Sequence, residues 1–314
     1  MNLLSSLRYL AALDEHKHFG RAAMACHITQ PALSNALRAL EQELGCAIVK
    51  RGRSFGGFTA EGERVLVSAQ RMLHERELLQ QDLNSVVGKP HGHLTIGAVP
   101  TAMPVVARFS AMLHARYPGI SPVVRSMSSS ELELGLENLS LDMGLGYTER
   151  LARHSPRLRH LPQYTEHYFL LRKAGQAHTE HMQIGPKITW AEAAKLPLCL
   201  LTSEMYNRTI VDTAFLQAGS PVKPVIETNS ILTLALSVVV GDVCSVLPGA
   251  LVSAVRGYRE LEALPLVSPE VLTPIGFMVQ GGDRMSRTLD AAMTMAQDAA
   301  WLRHAAAHSG LLVV

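Results

Sequence analysis

RAAMACHITQPALSNALRALEQELG, residues 21–45, predicts two short helices joined by a tight turn. Thr29 is placed to cap the second helix, and Pro31 lies in its first turn, where a missing amide proton costs nothing. Gly45 is placed to end that helix, because glycine readily adopts the left-handed conformation of a C-terminal cap. The stretch therefore predicts a helix-turn-helix.

The second helix has two different faces. Its apolar stripe recurs at helical spacing and should be buried: Leu33, Leu37, Leu40 and Leu44. Its other face offers residues that can contact DNA bases and phosphates: Gln30, Pro31, Ser34, Asn35 and Arg38. An ordinary helical hairpin in an all-α protein would show the same leucine spacing, because that spacing indicates only a core.

The next segment, CAIVKRGRSFGGFTAEG, favours a DNA-binding domain over that alternative. It predicts an apolar strand, a basic glycine-rich turn and a second strand that ends at Thr59, which together form a β-hairpin wing. Lys50, Arg51 and Arg53 lie close together in this turn and can meet phosphates or the minor groove. We predict DNA contacts by Arg51, Arg53 and Thr59.

These motifs resemble the winged DNA-binding domain of LysR-type transcriptional regulators. The matching positions occur in the family's order: Ala22, Ala23, Gln30, Pro31, Ala32, Leu33, Ser34, Leu40, Glu41, Leu44, Gly45, Arg51, Thr59 and Gly62. Val49 departs from the pattern, because the family has an aromatic residue there that packs the wing against the core. The resemblance implies a ligand-responsive transcriptional regulator that binds double-stranded operator DNA as a dimer of dimers and can contact RNA polymerase.

The composition fits a globular protein of two or three compact units, with 314 residues, of which 47% are hydrophobic and 18% charged. The net charge is +2, and the excess lies in residues 1–90, which hold more Lys and Arg than Asp and Glu. Apolar runs such as residues 231–240 are too short to span a bilayer, and the N-terminus lacks the pattern of a signal peptide. We expect a cytoplasmic protein with no membrane partner.

Cysteine and histidine spacing indicates no metal site and no cofactor. Cys26, Cys46, Cys199 and Cys244 form no C-x-x-C motif, so structural burial is expected. Some LysR-type members sense peroxide through a cysteine pair, but Cys199 lies in an apolar run and the next cysteine is distant, so this alternative is less favoured. Closely spaced histidines, at 16 and 18 and at 91 and 93, lack a third ligand.

Residues 60–87 predict one long helix whose apolar stripe is too narrow for a globular core of its own. We expect this helix to pair with its counterpart in a second chain, and the resemblance implies the same role. GKPHG, residues 88–92, then forms a hinge. The predicted domains are a winged helix-turn-helix over 1–59, the linker helix and hinge over 60–91, and an effector-binding domain over 92–314.

The effector-binding part alternates short apolar strands with helices, which indicates a parallel α/β fold. The strands are predicted at 94–99, 122–126, 143–147, 167–173, 196–201, 223–228, 243–248 and 275–280. The helices are predicted at 104–116, 129–139, 207–218, 230–240 and 284–301. The resemblance implies a two-lobed, periplasmic-binding-protein-like domain, with lobe I at about 92–160 and 267–302 and lobe II at about 161–266.

Ligands of open α/β sheets bind at the carboxyl ends of strands, where helix N-termini present amide groups. The loops at these ends carry mainly hydroxyl groups, and we predict the effector site there: Pro100, Thr101, Ser128, Ser129, Gly146, Tyr147, Thr202 and Ser203. Hydroxyl and amide groups suit a small organic anion such as a short carboxylate. Helix capping would equally explain several of these hydroxyl groups, so both roles stay open.

Three other classes of protein fit less well. An enzyme would need a catalytic motif in the right structural context. Residues 52–56 match G-x-S-x-G, but they lie in the basic turn of the predicted wing and not in a strand-to-helix nucleophile elbow. No Walker or G-x-G-x-x-G sequence occurs. A solute-binding protein for transport would carry a signal peptide and lack the winged motif. An architectural DNA-binding protein would leave the large C-terminal part without a role. A regulator that is not an enzyme explains both parts of the chain.

Overall fold

The computed structural model describes residues 2–50, 52, 54–84, 90–150, 158–176, 180–281 and 285–312. The chain divides into two compact units. The first comprises Met1–Gly88 with Glu137–Ser140, and the second comprises Lys89–Leu136 with Leu141–Val314. Among the described residues, no helix combines the length and the apolar character that crossing a membrane requires.

The N-terminal unit is helical and contains the predicted helix-turn-helix. Its helices are α1 (Leu3–His16), α2 (Phe19–Ala25), α3 (Gln30–Leu44) and α4 (Ala60–Asn84). The Thr29 hydroxyl accepts a hydrogen bond from the Ala32 amide and caps α3, and Gly45 ends α3 in the left-handed conformation, with φ of 67°. Both predicted helix boundaries are therefore confirmed.

The apolar stripe of α3 packs into the core of this unit, with one exception. Leu33, Leu37 and Leu40 are buried, whereas Leu44 is 46% exposed. The predicted burial of Leu44 is wrong, because this residue ends the helix and lies beyond the buried part of the stripe.

Helix α4 joins the core of the N-terminal unit through its first half. Leu66 and Ala69 are buried in that core, and Leu73 packs against it. The expectation that the apolar stripe of α4 has no core of its own is therefore wrong for this half. Further along, Leu79 and Leu83 are 55% and 65% exposed. Residues 85–87, predicted to continue the helix, lie outside the described residues.

Backbone contacts join the two sides of the predicted wing. Val49 and Phe58 form an isolated antiparallel bridge, and the Lys50 amide donates to the Gly57 carbonyl over 3.0 Å. The rings of Phe55 and Phe58 pack edge to face at 5.1 Å. These rings supply aromatic packing beside Val49, the position where the family pattern has an aromatic residue. Residues 51 and 53, predicted to contact DNA, lie outside the described residues.

The second unit contains the α/β part of the chain. Its strands are β1 (Gly92–Ala98), β2 (Ile120–Ser126), β3 (Met143–Tyr147), β4 (Leu158–Glu166), β5 (Tyr168–Lys173), β6 (Gln183–Ile184), β7 (Ile188–Thr189), β8 (Leu198–Leu201), β9 (Ile226–Thr228), β10 (Cys244–Pro248), β11 (Leu261–Val267) and β12 (Thr273–Gln280). Its helices are α5 (Met103–Arg116), α6 (Ser129–Glu137), α7 (Trp190–Ala193), α8 (Tyr206–Gln217), α9 (Ile231–Val240), α10 (Gly249–Ala254), α11 (Arg287–Ala296) and α12 (Ala299–Ala307).

The strands of this unit form two sheets, one in each lobe. The sheet of lobe I has the order β2-β1-β3-β12-β4, and that of lobe II the order β6-β11-β5-β10-β8-β9, with β7 paired to β11. Strand β12 runs antiparallel to β3 and β4, and β5 runs antiparallel to β10 and β11. The predicted parallel pairing is confirmed for β1 with β2 and β3 and for β8 with β9 and β10. It is wrong for β5 and β12, because these strands enter their sheets from the other lobe and run in the opposite direction.

Two crossovers connect the lobes. The chain leaves the sheet of lobe I after Glu166 and enters that of lobe II at Tyr168, later than the boundary predicted near residue 160. It returns between β11 and β12. The single helix predicted over 284–301 is two helices, because the Asp298 side chain caps α12 through the Ala300 amide.

Candidate DNA-binding face and effector site

The outer face of α3 carries the polar residues that the sequence predicts for DNA. Gln30, Asn35 and Arg38 are exposed, as is Pro31, and Ser34 is half-buried. The Glu41 carboxylate points away from this face, because it accepts hydrogen bonds from the amides of the wing residues Ile48 and Val49, at 2.8 and 3.1 Å. The face is therefore open to a polyanion, and its contacts with DNA stay a prediction.

Thr59 has a structural role, and its predicted contact with DNA stays a prediction. Its hydroxyl donates to the Ala47 carbonyl over 2.6 Å and accepts from the Gly62 amide over 2.9 Å. Because these bonds cap α4 and tie it to the segment that precedes the wing, we assign Thr59 to the packing of this unit.

Replacing Ser34 and Asn35 together by alanine should reduce discrimination between operator and random DNA. Each good contact to a base edge contributes about 1–3 kcal/mol, so the ratio of specific to non-specific affinity should fall by about tenfold or more. As a control, Lys50→Ala in the wing should weaken both affinities alike and flatten the salt dependence by about one unit or less. Titrations across a salt series measure both effects. Unchanged discrimination in the double variant would move the recognition face elsewhere.

The carboxyl ends of strands from both lobes converge on a small inner cavity of about 10 Å³. Its lining joins loops after β1, β2 and β3 to the start of α8: Val99, Pro100, Thr101, Ser128, Ser129, Tyr147, Leu201, Met205, Tyr206 and Asn207. The sequence predicted five of these positions as effector contacts. A cavity of this size admits little more than one oxygen-sized group.

The polar groups at the inner cavity are uncharged. Thr101 Oγ1 and Tyr147 Oη share a hydrogen bond of 2.9 Å, and burial raises the pKa of Tyr147 to about 12, so its phenol is neutral. The Ser129 hydroxyl is buried and has no hydrogen-bond partner among the described residues. Leaving such a group unpaired costs about 1–3 kcal/mol, so the Ser129 hydroxyl indicates a place for a ligand.

A chain of hydrogen bonds leads from the region of the inner cavity to the crossovers. Asn207 Nδ2 donates to Tyr168 Oη over 3.1 Å, and Tyr168 Oη lies 3.4 Å from Thr273 Oγ1. None of these three residues was among the predicted site residues. Asn207 could have been found, since it is polar and lies in the first turn of the helix after β8. Tyr168 and Thr273 gave no signal, because only the crossovers bring these strand ends together.

A buried carboxyl group near this network adds no full negative charge at neutral pH. Burial raises the pKa of Glu166 to about 8, although the Ala250 amide donates to both of its oxygens at 3.3 Å. Glu166 is therefore mainly protonated at neutral pH, and an anion in the inner cavity would meet little repulsion from it.

Two of the predicted effector hydroxyl groups, those of Ser128 and Thr202, have structural partners. Ser128 forms a reciprocal capping box with Glu131, since its hydroxyl accepts from the Glu131 amide and its own amide donates to the Glu131 carboxylate. The Thr202 hydroxyl donates to Glu204 over 2.6 Å. Thr202 and Ser203 line neither the inner cavity nor the larger cleft beside it. Gly146 lies buried within β3.

This larger space, the outer cleft, has a volume of about 550 Å³ and adjoins the inner cavity. Both lobes contribute to its lining: Pro100, Ser126, Met127, Ser128, Ser130, Glu131, Glu204, Met205 and Asn229. Pro100, Ser128 and Met205 line both spaces, so the two are neighbours. The volume of the outer cleft lies within the range of roughly 300–1,000 Å³ that small-molecule sites occupy.

The two cysteines of lobe II lie on opposite faces of its sheet. Cys244 pairs with Leu198 and Cys199 pairs with Ser245. Neighbouring residues of a strand point to opposite faces, and Cys244 packs with the cluster of Leu198 whereas Cys199 belongs to the other cluster. A disulfide between them is therefore excluded in this arrangement. Burial also raises the pKa of both thiols.

Within the described ranges, no three His, Cys, Asp or Glu side chains are grouped to hold a metal ion.

Comparisons with known proteins match both parts of the chain. The family model described as bacterial regulatory helix-turn-helix protein, lysR family, matches residues 4–63. The LysR substrate binding domain model matches residues 88–301. The hydrogen peroxide-inducible genes activator of Escherichia coli O157:H7 is 27% identical over 288 residues, which cover 89% of this chain and 90% of the relative.

Solved structures share the fold. Full-length OxyR from Pseudomonas aeruginosa gives a TM-score of 0.69 at 24% identity, covering 94% of this chain and 97% of that one. Full-length CbnR, solved in complex with its target DNA, gives a TM-score of 0.65 at 18% identity, covering 96% of this chain and 99% of that one.

Proposed function

Because the chain belongs to the LysR family of bacterial transcriptional regulators, we propose that it controls transcription in response to a small organic anion such as a short carboxylate. Family membership makes the chain a DNA-binding regulator with an effector-binding domain, and not an enzyme. We further propose that the chain assembles as a dimer of dimers and contacts RNA polymerase.

The buried, unpaired hydroxyl of Ser129 carries the proposal for the effector. One carboxylate oxygen matches the size of the inner cavity and can accept a hydrogen bond from this hydroxyl. Helices α6 and α8 both begin at the cavity, and their N-terminal amides favour negative charge there. The remainder of the molecule would lie in the outer cleft.

Peroxide sensing is the alternative that the name of the Escherichia coli relative raises. A disulfide sensor needs two thiols that can approach each other and at least one reactive thiolate. Cys199 and Cys244 face opposite sides of one sheet, and their burial favours the unreactive thiol form. We therefore favour a bound organic effector over oxidation of this cysteine pair.

The proposal for the assembly is a dimer that pairs through α4, with two dimers forming a tetramer. Exposed apolar side chains along α4, Met72, Leu79 and Leu83, support it. A cavity of about 410 Å³ beside Met72, lined largely by apolar residues of α1, α3 and α4, offers further surface for a partner helix. Contact of the DNA-bound assembly with RNA polymerase is part of the same proposal.

Ser129→Ala should separate effector binding from folding. We expect the affinity for the effector to fall by about fivefold to a hundredfold, which corresponds to a lost hydrogen bond of about 1–3 kcal/mol. The melting temperature of the free protein should not fall, because the hydroxyl has no partner to lose among the described residues. Thermal shift and calorimetry with a panel of short carboxylic acids measure both.

Ser110→Ala is the matched control for this test. Ser110 also has a buried hydroxyl without a partner in the described part of the chain, but it lies on α5 and lines neither the inner cavity nor the outer cleft. It should leave the effector response unchanged. If Ser129→Ala and Thr101→Val both respond at the same concentration as the unsubstituted protein, the effector binds elsewhere.

A further inference from the structure

The outer cleft has a charge pattern that a simple carboxylate does not match. Glu131 contributes to its lining from lobe I, and Glu204 contributes from lobe II. Among the described residues that line this cleft there is no lysine or arginine. If a ligand carries only negative charge, the two carboxylates repel the part of it that lies in the outer cleft.

Local hydrogen bonds hold both carboxylates in place, and each carboxylate can still accept a hydrogen bond from a ligand. Oε2 of Glu131 accepts from the amide and the hydroxyl of Ser128, each at 2.8 Å. Oε1 of Glu204 accepts from the Thr202 hydroxyl, which lowers the pKa of Glu204 and favours its charged form. A carboxylate has about four lone-pair sites, so each of these two can accept a further hydrogen bond from a donor in the cleft. Asn229 adds an amide group to the same lining.

In contrast to the outer cleft, which favours a cationic donor, the inner cavity favours a hydrogen-bond acceptor. Its lining is uncharged and includes Ser129, which is only 8% exposed and whose hydroxyl has no hydrogen-bond partner among the described residues. Because the inner cavity and the outer cleft adjoin, a molecule that fills both needs a hydrogen-bond acceptor at its narrow end and a cationic donor on its body.

Building on the proposed function, we infer that the effector is a zwitterion of the amino-acid type. One oxygen of its carboxylate occupies the inner cavity beside Ser129, and its ammonium group lies between Glu131 and Glu204 in the outer cleft. An ammonium group has three donors, so it can bond to both carboxylates at once. Because each carboxylate belongs to a different lobe, binding would favour the arrangement in which the lobes approach each other.

The test compares the twenty common amino acids with the carboxylic acids that have the same skeleton but no amino group, by calorimetry on the full-length protein. At least one amino acid should bind about tenfold or more tightly than its des-amino partner, as expected for a lost charge-assisted hydrogen bond. Glu131→Gln and Glu204→Gln should each weaken binding of that amino acid by about tenfold and strengthen binding of the des-amino acid.

The substitutions are chosen to preserve the local structure. Glutamine can still form the capping box with Ser128, so Glu131→Gln keeps the start of α6. Glu180→Gln makes the same change of charge at an exposed residue that does not line the cleft, and it should alter neither affinity.

Two outcomes would overturn the inference, and they can be told apart. Amino acids and des-amino acids could bind with equal affinity, with neither glutamine variant altering these affinities. The proposed carboxylate site would then stand, and the inference of a zwitterionic effector would be wrong. If no compound of either series binds, the proposed carboxylate effector fails, and the zwitterion fails with it.

Discussion

Replacing Leu79 and Leu83 together by lysine should dissociate the proposed dimer. Both side chains are more than half exposed on α4 in the single chain, on the side that also carries Met72. Pairing with a second α4 would bury them, and burying two unpaired ammonium groups is strongly unfavourable. We expect the dissociation constant of the dimer to rise by about a hundredfold or more, together with loss of binding to DNA that carries two half-sites.

Light scattering across a range of protein concentrations measures this effect. Glu77→Lys is the control, because it makes the same change of +2 in net charge at a residue on the opposite side of α4. Leu73 is a poor choice for this test, since it packs against the core of its own unit. A Leu79→Lys/Leu83→Lys variant that keeps its original mass would show that another surface holds the chains together.

Gly62→Ala should destabilise the N-terminal unit although alanine is the better helix former. Gly62 lies in the first turn of α4, and an added Cβ would overlap the backbone carbonyl of Ile48. Helix propensity alone would predict a gain of about 1 kcal/mol. Because the obstacle is backbone and cannot rotate away, we expect instead a loss of about 1–3 kcal/mol in the free energy of unfolding.

Chemical denaturation followed by circular dichroism determines the sign. Gly56→Ala serves as the control, since a Cβ at Gly56 meets its nearest neighbours at ordinary contact distances of 3.7 and 3.8 Å. Equal or higher stability of Gly62→Ala would mean that α4 can move away from Ile48 at little cost. Steric overlap with Ile48 would then not explain the glycine at this position.

The helix-turn-helix could be predicted in detail because its signals are local. A cap such as Thr29 bonds to an amide three residues away, and Gly45 ends α3 through its own backbone conformation. The apolar stripe of α3 likewise follows from helical period alone, except at its end, where Leu44 lies outside the core. Similar local patterns located most strands of the second unit, but β4, β6, β7 and β11 gave too little periodicity to be recognised.

The lining of the inner cavity was predicted only in part. Thr101, Ser129 and Tyr147 follow strand ends, and parallel strands bring their carboxyl ends to one edge of a sheet, so their meeting could be expected. Whether a hydroxyl binds a ligand or caps a helix depends on where its partners lie. For Ser128 the partner is Glu131, three residues along the chain, whereas Ser129 has none among the described residues.

The sequence by itself determined the family, the helix-turn-helix and the set of strand-end loops, because each rests on residues close together in the chain. Tertiary structure decided which half of α4 joins a core and where the chain crosses between the lobes. It also placed Cys199 and Cys244 on opposite faces of their sheet. It also brought Glu131 and Glu204 to one cleft. These features depend on contacts between residues tens of positions apart, and only the packing of the complete sheets fixes which distant residues meet.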